Sequence, residues 1–126
     1  MLLLSLPVGF ATTAVLTGNN IRDLEEDDEA RIITLVRLGG PKIGRFIYIG
    51  FVVSSVLALA IFAFAGIVPR ILVAAPPLLI LLRKVLRDVW QGRRLVDIDA
   101  QTARFESVLL VFLLIAFVIS ASARAI

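Results

Sequence analysis

The 126-residue sequence has no cysteine and no histidine. The first absence excludes disulfides and thiol chemistry. The second removes every acid–base or metal site built on imidazole. Zinc is left without its two preferred ligand types. Charge of one sign is not concentrated either. The net charge of +3 is spread over the polar segments, with no basic stripe of the kind nucleic acids require, so nucleic acid is not an expected partner. There is no Gly-rich nucleotide loop and no Ser/His/Asp set. What the chain has in excess is hydrocarbon. Hydrophobic residues make up 60% of it and the mean hydropathy is +0.99, above the near-half apolar content of soluble domains. Long uncharged runs therefore predict an integral membrane protein of the all-α class.

Four stretches are expected to span, at about 1–20, 46–68, 71–88 and 107–123, within a single membrane domain of 126 residues. The first carries no basic leading segment and is longer than the apolar part of a signal peptide, so it reads as a spanning helix rather than a cleaved leader. Beyond it, a short helical segment is expected from Asn20 to about Leu38, stopped by Gly39-Gly40-Pro41. Phe46–Val68 is the clearest span, uncharged and closed by Pro69. The third span contains Pro76-Pro77, which must bend or break it, and is expected to continue helically past Arg83 to Trp90. The last runs from Ser107 to Ala123.

Every Lys and Arg except Arg70 and Arg124 falls in two polar regions, 22–45 and 83–106. The positive-inside rule puts these regions in the cytoplasm and both termini outside. The expected location is the plasma membrane, multi-pass, with an acidic motif facing the cytoplasm.

That motif is Asn19-Asn20-Ile21-Arg22-Asp23-Leu24-Glu25-Glu26-Asp27-Asp28-Glu29. Asn19, Asp23 and Asp27 fall at i, i+4 and i+8, which on a helix is one face. Two carboxylates and an amide oxygen so stacked form a ladder of hard oxygen ligands. Mg²⁺ suits such a ladder, because it is usually held by one or two carboxylates together with substrate phosphates. The alternative is a solvated acidic loop between membrane helices. An EF-hand does not fit, for want of the glycine and the alternating ligand positions.

Asn19-Asn20-Ile21-Arg22-Asp23, then Asp27, then Thr34-Leu35-Val36-Arg37-Leu38-Gly39 resembles the second aspartate-rich motif of the UbiA superfamily of intramembrane prenyltransferases. The form is most similar to the 1,4-dihydroxy-2-naphthoate polyprenyltransferases of menaquinone synthesis. Thr102-Ala103-Arg104 and the helix after it also look like the family's final span. The resemblance implies a polytopic membrane helical bundle of about four spanning helices, the C-terminal part of a fold of about nine, all satisfying their backbone groups within the helix. It also implies Mg²⁺-dependent transfer of a polyprenyl group from its diphosphate to an aromatic acceptor. Asp23 and Asp27 would be the catalytic, metal-binding carboxylates, with Asn19 a further metal ligand. Asn20, Arg22, Arg31, Thr34 and Arg37 would contact substrate.

The family usually has Ala-Gly-Lys-x-Thr after the second aspartate. Here Arg31 stands at the glycine and Ile32 at the lysine. The first aspartate-rich motif is absent from this sequence, so a separate N-terminal half carrying it is an expected partner, besides polyprenyl diphosphate, aromatic acceptor and membrane lipid. The other expectation is a non-catalytic four-helix membrane protein, or a remnant, that binds a prenyl lipid or a divalent ion.

Overall fold

A computed structural model describes Leu3, residues 5–93 and residues 96–124, of which Arg124 is described in its backbone only. Met1, with which the first expected span begins, and Arg94, counted in the second basic region, lie outside them. The described residues form helices and turns and no strand, an all-α membrane bundle. Helix α1 covers Ser5–Arg22, α2 Leu24–Glu29, α3 Leu35–Phe64, α4 Arg83–Trp90 and α5 Ile98–Arg124. Two 3₁₀ segments, Arg70–Ala74 and Pro76–Leu82, lie between α3 and α4.

Each of the three long helices, α1, α3 and α5, buries a stripe at helical spacing. On α1 it is Pro7, Ala11, Ala14 and Gly18, small residues that let backbones approach closely. On α3 it is Tyr48, Val52, Val56, Leu59 and Ala63, and on α5 Ile98, Phe105, Leu109 and Ala116. Helix α1 packs on both α3 and α5, and the 3₁₀ segments fill the other side between α3 and α5. Away from these stripes the long helices turn large apolar side chains outward. Phe64 is 89% exposed and Leu114 63%. Among the described residues, two helical stretches, Leu35–Phe64 and Ile98–Ala123, are long and apolar enough to cross a membrane. An apolar exterior of this extent suits lipid, not water.

Three details differ from expectation. The segment from Asn20 to Leu38 is not one helix. Helix α2 stops at Glu29, and residues 32–34 are non-helical. Helix α3 starts earlier than residue 46, at Leu35, but it is bent. Gly40 adopts φ 80° and ψ 167°, a conformation open to glycine, and Pro41 opens the straight part. A Cβ on Gly44 would lie 2.6 Å from a Val36 methyl carbon. Eight residues span about 12 Å in a straight helix, so the turn from Leu35 to Gly39 folds back on the rest. Finally, the third apolar stretch is 3₁₀ rather than α up to Leu82. Pro76 and Pro77 remove two backbone donors and prevent a continuous α ladder there.

Among the described residues, buried side-chain polar atoms are paired. Thr17 donates to the Thr13 carbonyl at 2.7 Å and Ser55 to Val52 at 2.7 Å. Between helices, the Tyr48 and Thr102 hydroxyls lie 2.6 Å apart, and Thr102 donates to the Ile98 carbonyl at 2.5 Å. A threonine has one hydroxyl hydrogen, so Tyr48 must be the donor to Thr102. Nearer the middle of α1, Thr12 donates to Glu106 of α5 at 2.5 Å.

Candidate functional site

Contacts put the end of α1, the start of α3, the end of α4 and the start of α5 together. A Cβ on Gly18 would lie 3.6 Å from both Tyr48 and Ile98, Arg22 pairs with Asp99, and the Arg45 guanidinium lies against Gly92 just after α4. This is the polar end of the bundle, and the acidic motif lies here.

The motif's backbone holds its register. The Asp23 amide donates to the Asn19 carbonyl at 2.9 Å, and the Asp27 amide to the Asp23 carbonyl at 2.8 Å. The i→i−4 pattern thus continues across the junction of α1 and α2, although Asp23 itself has φ −93° and ψ 12°. Asn19, Asp23 and Asp27 follow one another on a single helical rail.

Arg22 is the charged centre of this rail. Its Nε lies 2.6 Å from Asp23 Oδ1 and a terminal nitrogen lies 2.8 Å from Oδ2, a bidentate fork. Its other terminal nitrogen reaches Asp99 on α5. The guanidinium holds the Asp23 carboxyl below the usual carboxylate range, and the two carboxylates raise the arginine above its own. Asp23 is therefore fully ionised at neutral pH, with both oxygens facing Arg22.

Downstream, α2 ends in a tight reversal. The Arg31 amide donates to Asp28 at 3.2 Å and the Ile32 amide to Asp27 at 2.9 Å. These are the two bonds of a Schellman end, whose left-handed position favours glycine. Arg31 fills it with φ 56°. Thr34 then caps the first turn of α3, accepting from the Arg37 amide at 3.2 Å. Arg37 ties that turn to α2, its Nε 2.9 Å from Asp28 Oδ1 and a terminal nitrogen 3.0 Å from the Ile32 carbonyl. Thr34 and Arg37 are thus engaged in holding the reversal. Asn20 is half-buried. Asp27 is half-buried and Arg31 is exposed.

The chain is similar to UbiA prenyltransferase domain-containing protein 1 of Gallus gallus, with 32% identity over 111 residues, covering 88% of this chain and 32% of that protein. The protein of the same name from Homo sapiens is 39% identical over 62 residues, 45% of this chain and 18% of its own length. That of Rattus norvegicus is 43% identical over 47 residues, 37% of this chain and 14% of its own length. The chain is homologous to UbiA prenyltransferase domain proteins. It spans about a third of the length of the Gallus gallus protein it matches. No protein-family model matches it, and no solved structure matches it significantly.

For a UbiA-type site, the donors on the rail are of the right kind for Mg²⁺: two carboxylates and an amide oxygen. Among the described residues, no three acidic side chains gather into a cage. The rail therefore fits a cation completed by ligand oxygens and water rather than one enclosed by protein, and a cation on Asp23 would have to displace the Arg22 fork. Sequence reasoning assigned no role to Asp99. It lies 77 positions from Arg22, and nothing local marks an aspartate as the partner of so distant a residue.

Proposed function

We propose that this chain supplies the second aspartate-rich half of a UbiA-type prenyl-transfer site. The donor is a polyprenyl diphosphate and the acceptor an aromatic ring, with 1,4-dihydroxy-2-naphthoate of menaquinone biosynthesis as the specific reading. The setting is the plasma membrane, with the acidic rail on the cytoplasmic side. The observation that carries this is the Asn19–Asp23–Asp27 rail, joined by backbone hydrogen bonds across the junction of α1 and α2, with Arg22 beside it. Asn19, Asp23 and Asp27 would hold Mg²⁺. Such an ion would supply charge neutralisation for the departing diphosphate. Arg22 would turn from Asp23 to the diphosphate oxygens, which offer its fork the same bidentate geometry. Asp99 keeps the guanidinium at the rail during that exchange. Arg31, at the end of α2, would meet the outer phosphate. The apolar core keeps the isoprenoid end in a water-poor environment. The first aspartate-rich motif would come from a separate N-terminal half.

The test is prenyl transfer in membranes that lack their own naphthoate prenyltransferase, with this chain alone and then with the N-terminal half co-expressed. The expected result is Mg²⁺-dependent product only in the second case. Asp23→Asn and Asp27→Asn should each lower the rate by roughly a hundredfold or more, as removal of a preorganised electrostatic group does. Unchanged rates in both variants would sink the assignment. A second reading draws on the Arg22 fork, which engages both Asp23 oxygens. On that reading the chain is a non-catalytic membrane protein. Absence of product in both arrangements, with both halves inserted in the membrane, would favour it.

A further inference from the structure

Beside the acidic rail, and apart from it, lies a cleft of about 290 Å³ lined by Lys42, Arg45, Phe46 and Trp90. The Phe46 and Trp90 rings meet edge to face with centroids 5.7 Å apart and planes at 86°. Neither ring is covered, with Phe46 62% and Trp90 66% exposed. Such a pair is favourable in itself, but two large rings at the surface of a membrane bundle call for apolar cover. No described acidic residue forms an ion pair with Lys42 or Arg45. Arg45 is half-buried. Its guanidinium lies on the bare backbone of Gly92, so that a Cβ there would be 2.5 Å from a terminal nitrogen. An anion in the cleft would give this half-buried guanidinium the ion-pair partner it lacks among the described residues.

We infer that this cleft binds the phosphate headgroup of an anionic membrane phospholipid, held by Lys42 and Arg45, with its acyl chain laid along Phe46 and Trp90. Three features select this occupant. The position is the polar end of the bundle, where charged residues give way to apolar ones and where interfacial aromatics belong. Basic pockets between membrane helices at that level suit anionic headgroups. No carboxylate lines the cleft, so it has no means of sharing a divalent cation with a diphosphate, whereas a singly charged phosphodiester needs only cations.

Trp90 is the chain's single tryptophan, so its fluorescence reports this cleft alone. The full chain is reconstituted in phosphatidylcholine bilayers holding a minor fraction of phosphatidylglycerol. Brominated acyl chains, which quench tryptophan on contact, are placed on one lipid or the other. Brominated phosphatidylglycerol should quench Trp90 as though enriched beside it by roughly fivefold per cation, the gain expected for each basic group near an anionic surface. Lys42→Gln with Arg45→Gln should bring the two lipids to parity. Lys42→Arg with Arg45→Lys, which keeps the charge, should retain the preference and so separates loss of binding from loss of fold. Equal quenching in the unaltered chain overturns the proposal, as does a preference that survives the double glutamine variant. Release of the lipid by millimolar Mg²⁺ and inorganic pyrophosphate would reassign the cleft to a soluble diphosphate and overturn it as well. None of these readouts depends on prenyl transfer, so this inference and the catalytic reading fail separately.

Discussion

Arg31 offers a measurement that separates strain from role. Three helix ends in this chain share one hydrogen-bond pattern. After α3, the Gly66 and Ile67 amides reach Ala63 and Phe62. After α4, the Gly92 and Arg93 amides reach Val89 and Asp88. Both use glycine at the left-handed position, with φ 73° in each case. The end of α2 makes the same two bonds with Arg31 at φ 56°. A side chain in that region costs roughly 1–2 kcal/mol, and glycine gives back about 0.5–1 kcal/mol in unfolded-chain entropy. Arg31 is exposed and has no ion pair among the described residues. Arg31→Gly is therefore expected to stabilise the protein by roughly 0.5–1 kcal/mol, read as a higher denaturation midpoint in detergent. If the arginine is there for a phosphate, the same variant should bind pyrophosphate less well while being more stable. An unaltered or lower midpoint would show that the reversal is not strained. The sequence marks this position only through the glycine that UbiA-like sequences carry there, because nothing in local propensity predicts a non-glycine left-handed residue.

Between elements, the contact of α3 with α5 can be tested through an asymmetry in its hydrogen bonds. Tyr48 and Thr102 are both fully buried, and the chain of donation runs from Tyr48 to Thr102 to the Ile98 carbonyl. Tyr48→Phe leaves Thr102 still donating to Ile98, and should cost about 0.6 kcal/mol, the average for an interhelical bond in a membrane bundle. Thr102→Val removes the acceptor and strands a buried phenol, which should cost about 1–3 kcal/mol. Unfolding in mixed detergent micelles would rank the two. The reverse order would mean that donation does not run from Tyr48. How far each element was legible follows from the range of the forces that set it. The spacing of Asn19, Asp23 and Asp27, the break at Gly39-Gly40-Pro41 and the disturbance at Pro76-Pro77 are local, and the residues themselves carry them. The fold-back of Leu35–Gly39 onto Gly44, the 3₁₀ form of 70–82 and the pairing of Arg22 with Asp99 depend on what packs where. Alternation of apolar and charged residues does not record that.

At the scale of the whole molecule, the arrangement makes one claim about the membrane that the composition is suited to test. The charged ends of α1, α2, α4 and α5 lie together, and the turn after α3, with Ala65, Gly66 and Arg70, lies at the far end of the long straight part of that helix. The residues from 42 to 64 rise about 33 Å at the α-helical pitch, enough to cross the hydrocarbon of a bilayer. The two ends should therefore face opposite sides. On the proposed orientation the polar end, with its excess of Lys and Arg, faces the cytoplasm. The chain has no cysteine, so single introduced thiols report without background. Glu26→Cys and Ala65→Cys both fall at exposed positions. In intact cells a membrane-impermeant maleimide should label the thiol at 65 and spare the thiol at 26 until the membrane is opened. Labelling of 26 alone would invert the orientation and remove the acidic rail from the compartment that supplies Mg²⁺ and phosphorylated substrates. Labelling of both in intact cells would mean that the straight part of α3 does not cross, and that the exposed Phe64 and Leu114 face something other than lipid. The same two thiols would then decide between a spanning bundle and one laid on a surface, before any assay of catalysis.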